Sequence, residues 1–128
     1  MSVAILRQGD YLIASIQSDL SDREVIELRQ ELAELVGRYR AHGIVIDVAA
    51  LEVIDSFVAR ALRSVVLTAR LRGAATVIVG IQPDVAFAIV KLGMNLDIHT
   101  ALDLEEGLSY LEEATAGSRS GGSALGVL

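Results

Sequence analysis

Ser56 follows Asp55 where an apolar strand-and-loop pattern gives way to a helical one, in the run Val53-Ile54-Asp55-Ser56-Phe57. Two chemistries suit a hydroxyl in that place. It can cap the helix by accepting one of its free amide protons, worth about 1 kcal/mol. It can also accept a phosphate, which the amides and dipole at a helix start tolerate. The spacing leaves both readings open. Asp47, Glu52 and Asp55 lie close by in sequence and offer oxygen ligands of the kind Mg²⁺ takes. For Asp47 the simpler reading is a strand-end carboxylate bonded to loop amides, and no metal site is assigned.

Hydrolytic chemistry at Ser56 lacks its usual parts. The G-x-S-x-G elbow is absent, because Ile54 and Val58 stand where its glycines belong. His42 and His99 fall at expected element ends, and His42 reads as a helix C-terminal residue facing the last carbonyls. No Walker or G-x-G-x-x-G loop occurs, and the sole lysine, Lys91, lies late in a helical stretch. No catalytic residue and no cofactor are therefore assigned, and the chain reads as a non-enzyme.

The elements that must position Ser56 follow from periodicity. Val3 to Leu6 and Tyr11 to Ile16 predict a hairpin around Gly9-Asp10. Ser21 and Glu24 have capping-box spacing ahead of a helix to about Ala41, ended by His42-Gly43, with Val25, Leu28, Leu32, Leu35, Val36 and Tyr39 as its buried stripe. Ile44 to Val48 predicts a strand covered on both faces. Ser56 to Arg72 predicts a second helix, stopped by Gly73, and Ala75 to Ile81 a second buried strand. Pro83 opens a short helix that Gly93 closes. Asn95 to His99 predicts a last strand and Asp103 to Glu113 a last helix. From Ala114 onward the Gly- and Ser-rich sequence predicts a flexible tail. Alternation of strand and helix predicts α/β layers. If the strands Ile44–Val48 and Ala75–Ile81 adjoin, the loops after them share one sheet edge, which gathers Asp47, Glu52, Asp55 and Ser56 from the first and Gln82 and Asp84 from the second.

Composition bounds the partners. A net charge of −6, with three Tyr, two Phe and no Trp, argues against nucleic-acid binding. No Cys is present, so disulfides and thiolate metal sites are excluded. Apolar runs too short to cross a membrane and an N-terminus without a signal-peptide core predict a cytoplasmic protein. A mean hydropathy of +0.50 suggests that some apolar surface serves assembly. Against the acidic whole, the stretch after Ser56 carries Arg60, Arg63, Arg70 and Arg72 and no acid. That ridge is either a solvated face or a docking surface for an acidic partner.

Three segments together, Gly43-Ile-Val-Ile-Asp-Val, Val53-Ile-Asp-Ser-Phe-Val-Ala-Arg and Val79-Gly-Ile-Gln-Pro-Asp-Val-Ala, resemble the STAS domain family over about residues 3 to 113. The resemblance is to its stressosome branch. It implies a STAS fold, with a mixed, mostly parallel sheet of four to five strands and about four helices, over residues 1–113. It also implies a scaffold that co-assembles with RsbR-type paralogues into a large complex and holds an RsbT-type kinase. That kinase phosphorylates the serine matching Ser56 and leaves, and an RsbX-type phosphatase resets the site. On this reading Asp47, Asp55, Phe57, Arg60 and Gln82 form the partner surface around Ser56. Sporulation-type anti-sigma-factor antagonists, the alternative, usually read D-S-S-G here, where this chain has a single serine followed by Phe57 and Val58.

Overall fold

The computed structural model describes residues 3–93 and 98–119. In chain order the elements are β1 (Val3–Gln8), β2 (Tyr11–Ile16), α1 (Asp22–Tyr39), β3 (Gly43–Asp47), α2 (Ser56–Leu71), β4 (Ala75–Val79), α3 (Pro83–Lys91), β5 (His99–Ala101) and α4 (Leu104–Arg119). The five strands form one mixed sheet in sequence order. β1 and β2 make the expected hairpin, with Gln8 opposite Tyr11 and Gly9 supplying the positive φ of 60°. Every later pairing is parallel, each reached by the helical crossover that parallel strands need. This is the α/β arrangement that the strand–helix alternation predicts.

Successive side chains of a strand point to opposite faces, and both faces here are covered. Leu12, Ala14, Ile44, Ile46 and Ile78 join the core beneath α1, α2 and α3. Ile13, Val45, Val77 and Val79 join Leu111 of α4 on the other side. Ile44, Val45 and Ile46 are each 0% exposed. At roughly 1.5–3 kcal/mol per buried side chain, these three alone rival the net stability of a domain. The strand that delivers the Ser56 loop is thus firmly anchored.

Several boundaries differ from the sequence reading, each for a local reason. α1 has its capping box, Ser21 Oγ accepting the Glu24 amide at 3.2 Å and Glu24 Oε1 accepting the Ser21 amide at 3.0 Å. It ends earlier than Ala41, where Arg40 turns left-handed at φ 50° and its N–H donates to the Val36 carbonyl. Gly43 is not a helix stop but the first residue of β3. A Cβ there would meet Leu111 and Tyr11 at 3.0 and 3.1 Å. His42 likewise lies beyond the helix, its N–H donating to the Asp10 carbonyl at 2.8 Å and its carbonyl accepting the Ala75 amide at 3.0 Å.

β4 stops at Val79 because Gly80 takes φ 78°. The last strand is His99–Ala101, and residues 95–97 of the expected strand lie outside the described residues. The expected boundary after residue 113 falls inside α4, which continues to Arg119. Thr115 is only 3% exposed, and its hydroxyl lies 3.1 Å from the Tyr11 hydroxyl. Residues 114–119 are therefore helical, with Thr115 packed on Tyr11, and 120–128 lie outside the described residues.

Candidate functional site at the carboxyl edge of the sheet

Ser15, Asp47 and Val79 pair across β2, β3 and β4, so these three strands end at one level. The loops leaving them meet there. Asp47 Oδ1 accepts the Ala49 amide at 2.9 Å, the internal role expected of a strand-end carboxylate. Leu51 and Ile54 turn inward into the core beneath α1–α3. Gly80 lies against Ala49 so closely that a Cβ would come within 3.1 Å, and the Gln82 side-chain amide donates to the Ala49 carbonyl. Asp47, at the end of β3, and Gln82, just before α3, thus clamp the β3–α2 loop from two sides.

Asp19, in the β2–α1 loop, holds the same segment from a third side. Its Oδ1 accepts the amides of Glu52 and Val53 at 3.1 and 3.4 Å. Sequence reasoning missed this residue because its partners are more than thirty positions away and no local spacing marks it.

α2 begins differently from the cap expected at Ser56. The cap is Asp55, whose Oδ1 accepts the Val58 amide at 2.8 Å. A carboxylate suits this place because it accepts a free amide and faces the positive end of the helix. Ser56 becomes the first helical residue, half-buried, and its hydroxyl makes no hydrogen bond among the described residues. The serine is held in place by its backbone while its oxygen stays uncommitted.

Phe57 and Arg60, on the next turn, line an open groove of about 350 Å³ between α1 and α2 with Val25, Ile26, Arg29, Ala61 and Ser64. Arg29 donates to the Ser64 hydroxyl across it at 3.2 Å. Arg60, Arg63 and Arg70 are exposed, and among the described residues none of them makes an ion pair. Arg72 departs from this ridge, its guanidinium resting over Gly37 of α1.

Neither histidine shares the site. His42 precedes β3, at the opposite end of the strand from Asp47. His99 lies on the edge strand and stacks on Tyr110 of α4, with ring centroids 3.6 Å apart. No group of three or more metal-ligating side chains occurs among the described residues.

Comparison with known proteins now adds the decisive observation: the model of the STAS domain matches residues 2–107. The chain belongs to the STAS domain family. Similar solved structures include a serine-to-glutamate variant of RsbS from Moorella thermoacetica. It is 36% identical, covering 91% of this chain and 99% of that one, with a TM-score of 0.78. A chain in a structure of the stressosome, a signal integration and transduction hub, is 34% identical, and the match covers 88% of this chain and 98% of that one, with a TM-score of 0.70. The RsbT co-antagonist protein RsbRA of Bacillus subtilis (strain 168) is 29% identical over 105 residues. These are 81% of this chain and 37% of that protein, so the match spans well under half of the curated relative. No helix among the described residues is long and apolar enough to cross a membrane.

Proposed function

We propose that this STAS domain is a non-enzymatic, cytoplasmic scaffold of a stressosome-type assembly. It co-assembles with an RsbR-type paralogue and holds an RsbT-type kinase. Phosphorylation of Ser56 releases that kinase, and an RsbX-type phosphatase restores the site. The observation that carries the reading is the division of labour at the start of α2: Asp55 caps the helix, and the hydroxyl of Ser56, the first helical residue after a clamped loop, makes no hydrogen bond among the described residues.

The chemistry fits a switch that leaves the fold intact. A phosphate adds about −1.5 to −2 charges at neutral pH, and the amides of the first helical turn tolerate them. Since the Ser56 hydroxyl makes no hydrogen bond among the described residues, its modification breaks none of those bonds. What changes is the surface that Asp55, Phe57 and Arg60 present with it.

Assembly has its own support in the exposed face of α3, where Phe87 and Val90 are 67% and 72% exposed one turn apart. Two large apolar side chains exposed side by side are the kind of feature that contact surfaces bury. The similarity to RsbS and to a stressosome chain points the same way.

Sizing of the protein co-expressed with an RsbR-type paralogue tests the proposal. A shared peak at megadalton size supports the scaffold. A small stable complex with an anti-sigma kinase, and no large assembly, would establish a sporulation-type antagonist instead.

A further inference from the structure

The α1–α2 groove has apolar walls, Val25, Ile26, Phe57 and Ala61, and a guanidinium at its rim on each side, Arg29 and Arg60. Ser64 holds Arg29. Arg60 makes neither an ion pair nor a hydrogen bond among the described residues, and α2 contains no acidic residue that could neutralise it. A basic rim over an apolar floor, on a chain of net charge −6, complements an acidic segment that offers one apolar side chain.

Arg60 also stands four residues after Ser56 on the same helix. Residues so spaced lie on one face with Cβ atoms about 5–6 Å apart, and an acid N-terminal to a base is the favourable order. A phosphoserine at position 56 therefore lies within reach of the Arg60 guanidinium, which forms strong charge-assisted bonds to phosphate oxygens. The Asp55 carboxylate is held at the Val58 amide and makes no ion pair with Arg60 among the described residues.

We propose that Arg60 is shared between two anions: a carboxylate of an acidic, apolar-anchored kinase segment seated in the α1–α2 groove, and a phosphate on Ser56. Phosphorylation draws the guanidinium from the groove rim toward the start of α2 and sets a dianion beside the partner's carboxylate. The partner loses its counter-charge and meets repulsion in one step. This rests on the phosphorylation of Ser56 proposed above and supplies the means by which it releases the kinase.

Phosphoserine inserted at position 56 during translation tests the pairing with no kinase present. In a ³¹P NMR titration, the second ionisation of the phosphate has its midpoint several tenths of a pH unit lower in the otherwise wild-type chain than in Arg60→Gln. Arg60→Lys keeps most of that difference, and Arg70→Gln, at the far end of α2, leaves the wild-type midpoint unchanged. Equal midpoints in wild type and Arg60→Gln overturn the proposal. Titration calorimetry with the RsbT-type kinase then reads the docking half. Unphosphorylated Arg60→Gln binds about ten-fold more weakly than wild type. Phosphoserine weakens binding less in that background than in wild type, the non-additivity expected of a shared residue. Arg60→Gln binding as tightly as wild type overturns the docking half. A kinase that ignores even the wild-type chain overturns that half together with the function proposed above, while the phosphorus titration still decides the pairing.

Discussion

The Asp55 carboxylate closes the first turn of α2 on the Val58 amide at 2.8 Å, and the Ser56 hydroxyl, next to it in sequence, makes no hydrogen bond among the described residues. Stability should report this arrangement directly. We expect Asp55→Ala to lose about 1 kcal/mol, the usual effect of deleting a cap. Ser56→Ala should stay within about 0.5 kcal/mol of wild type, as for a side chain without a structural bond. Urea unfolding of both variants decides it, and the reverse order of losses would make Ser56 the cap after all.

The loop that leads into Ser56 is held in part by Asp19. Replacing it with Ala removes the acceptor of the Glu52 and Val53 amides. Hydrogen exchange at those two amides should accelerate, with a loss of about 1 kcal/mol in stability. Asp19→Asn, which keeps a carbonyl oxygen, should fall between. Unchanged exchange in Asp19→Ala would show that the loop is held by Asp47 and Gln82 alone.

Two helical glycines should respond in opposite directions to Ala. At Gly107 a Cβ would sit 2.6 Å from Val79 Cγ1 and 3.4 Å from Val77 Cγ1, both in the sheet core. Overpacking of about 1–3 kcal/mol outweighs the helix-propensity gain of up to about 1 kcal/mol, so Gly107→Ala should melt lower. At Gly37 the new methyl meets only the Arg72 guanidinium, which can swing away. Gly37→Ala should melt at or above wild type. Thermal denaturation of the pair checks both signs, and a stabilised Gly107→Ala would mean that α4 packs less closely on β4.

On α3, Phe87 and Val90 are exposed enough that the combined Phe87→Ser and Val90→Ser variant should keep the wild-type melting temperature. Its assembly with an RsbR-type paralogue should shrink markedly on a sizing column. A full-size complex from that variant would place the assembly surface elsewhere.

Much of this was legible in the sequence because it rests on short-range pattern. The β-branched run from Ile44 to Val48 marked the central strand, Ser21 and Glu24 marked a cap three residues apart, and Pro83 marked a helix start. What escaped notice depends on partners distant in sequence or on choices between neighbours. Asp55 and Ser56 are both good caps, and which one enters the helix is set by how the clamped loop delivers the chain. Gly43 resembles a helix stop until Leu111 and Tyr11 are seen above it. Thr115 sits in a Gly- and Ser-rich stretch, yet the hydroxyl of Tyr11 holds it in the domain. The Ser56 switch itself was visible in spacing only as one of two open readings, and the family resemblance supplied the rest.

The central claim is that Ser56 is the phosphoacceptor, and mass spectrometry of the protein incubated with its RsbT-type kinase and ATP tests it most directly. We expect one acid-stable phosphate, on the peptide that contains Ser56, absent from Ser56→Ala while that variant still folds and binds the kinase. Phosphate on another residue, or undiminished incorporation into Ser56→Ala, would contradict the account.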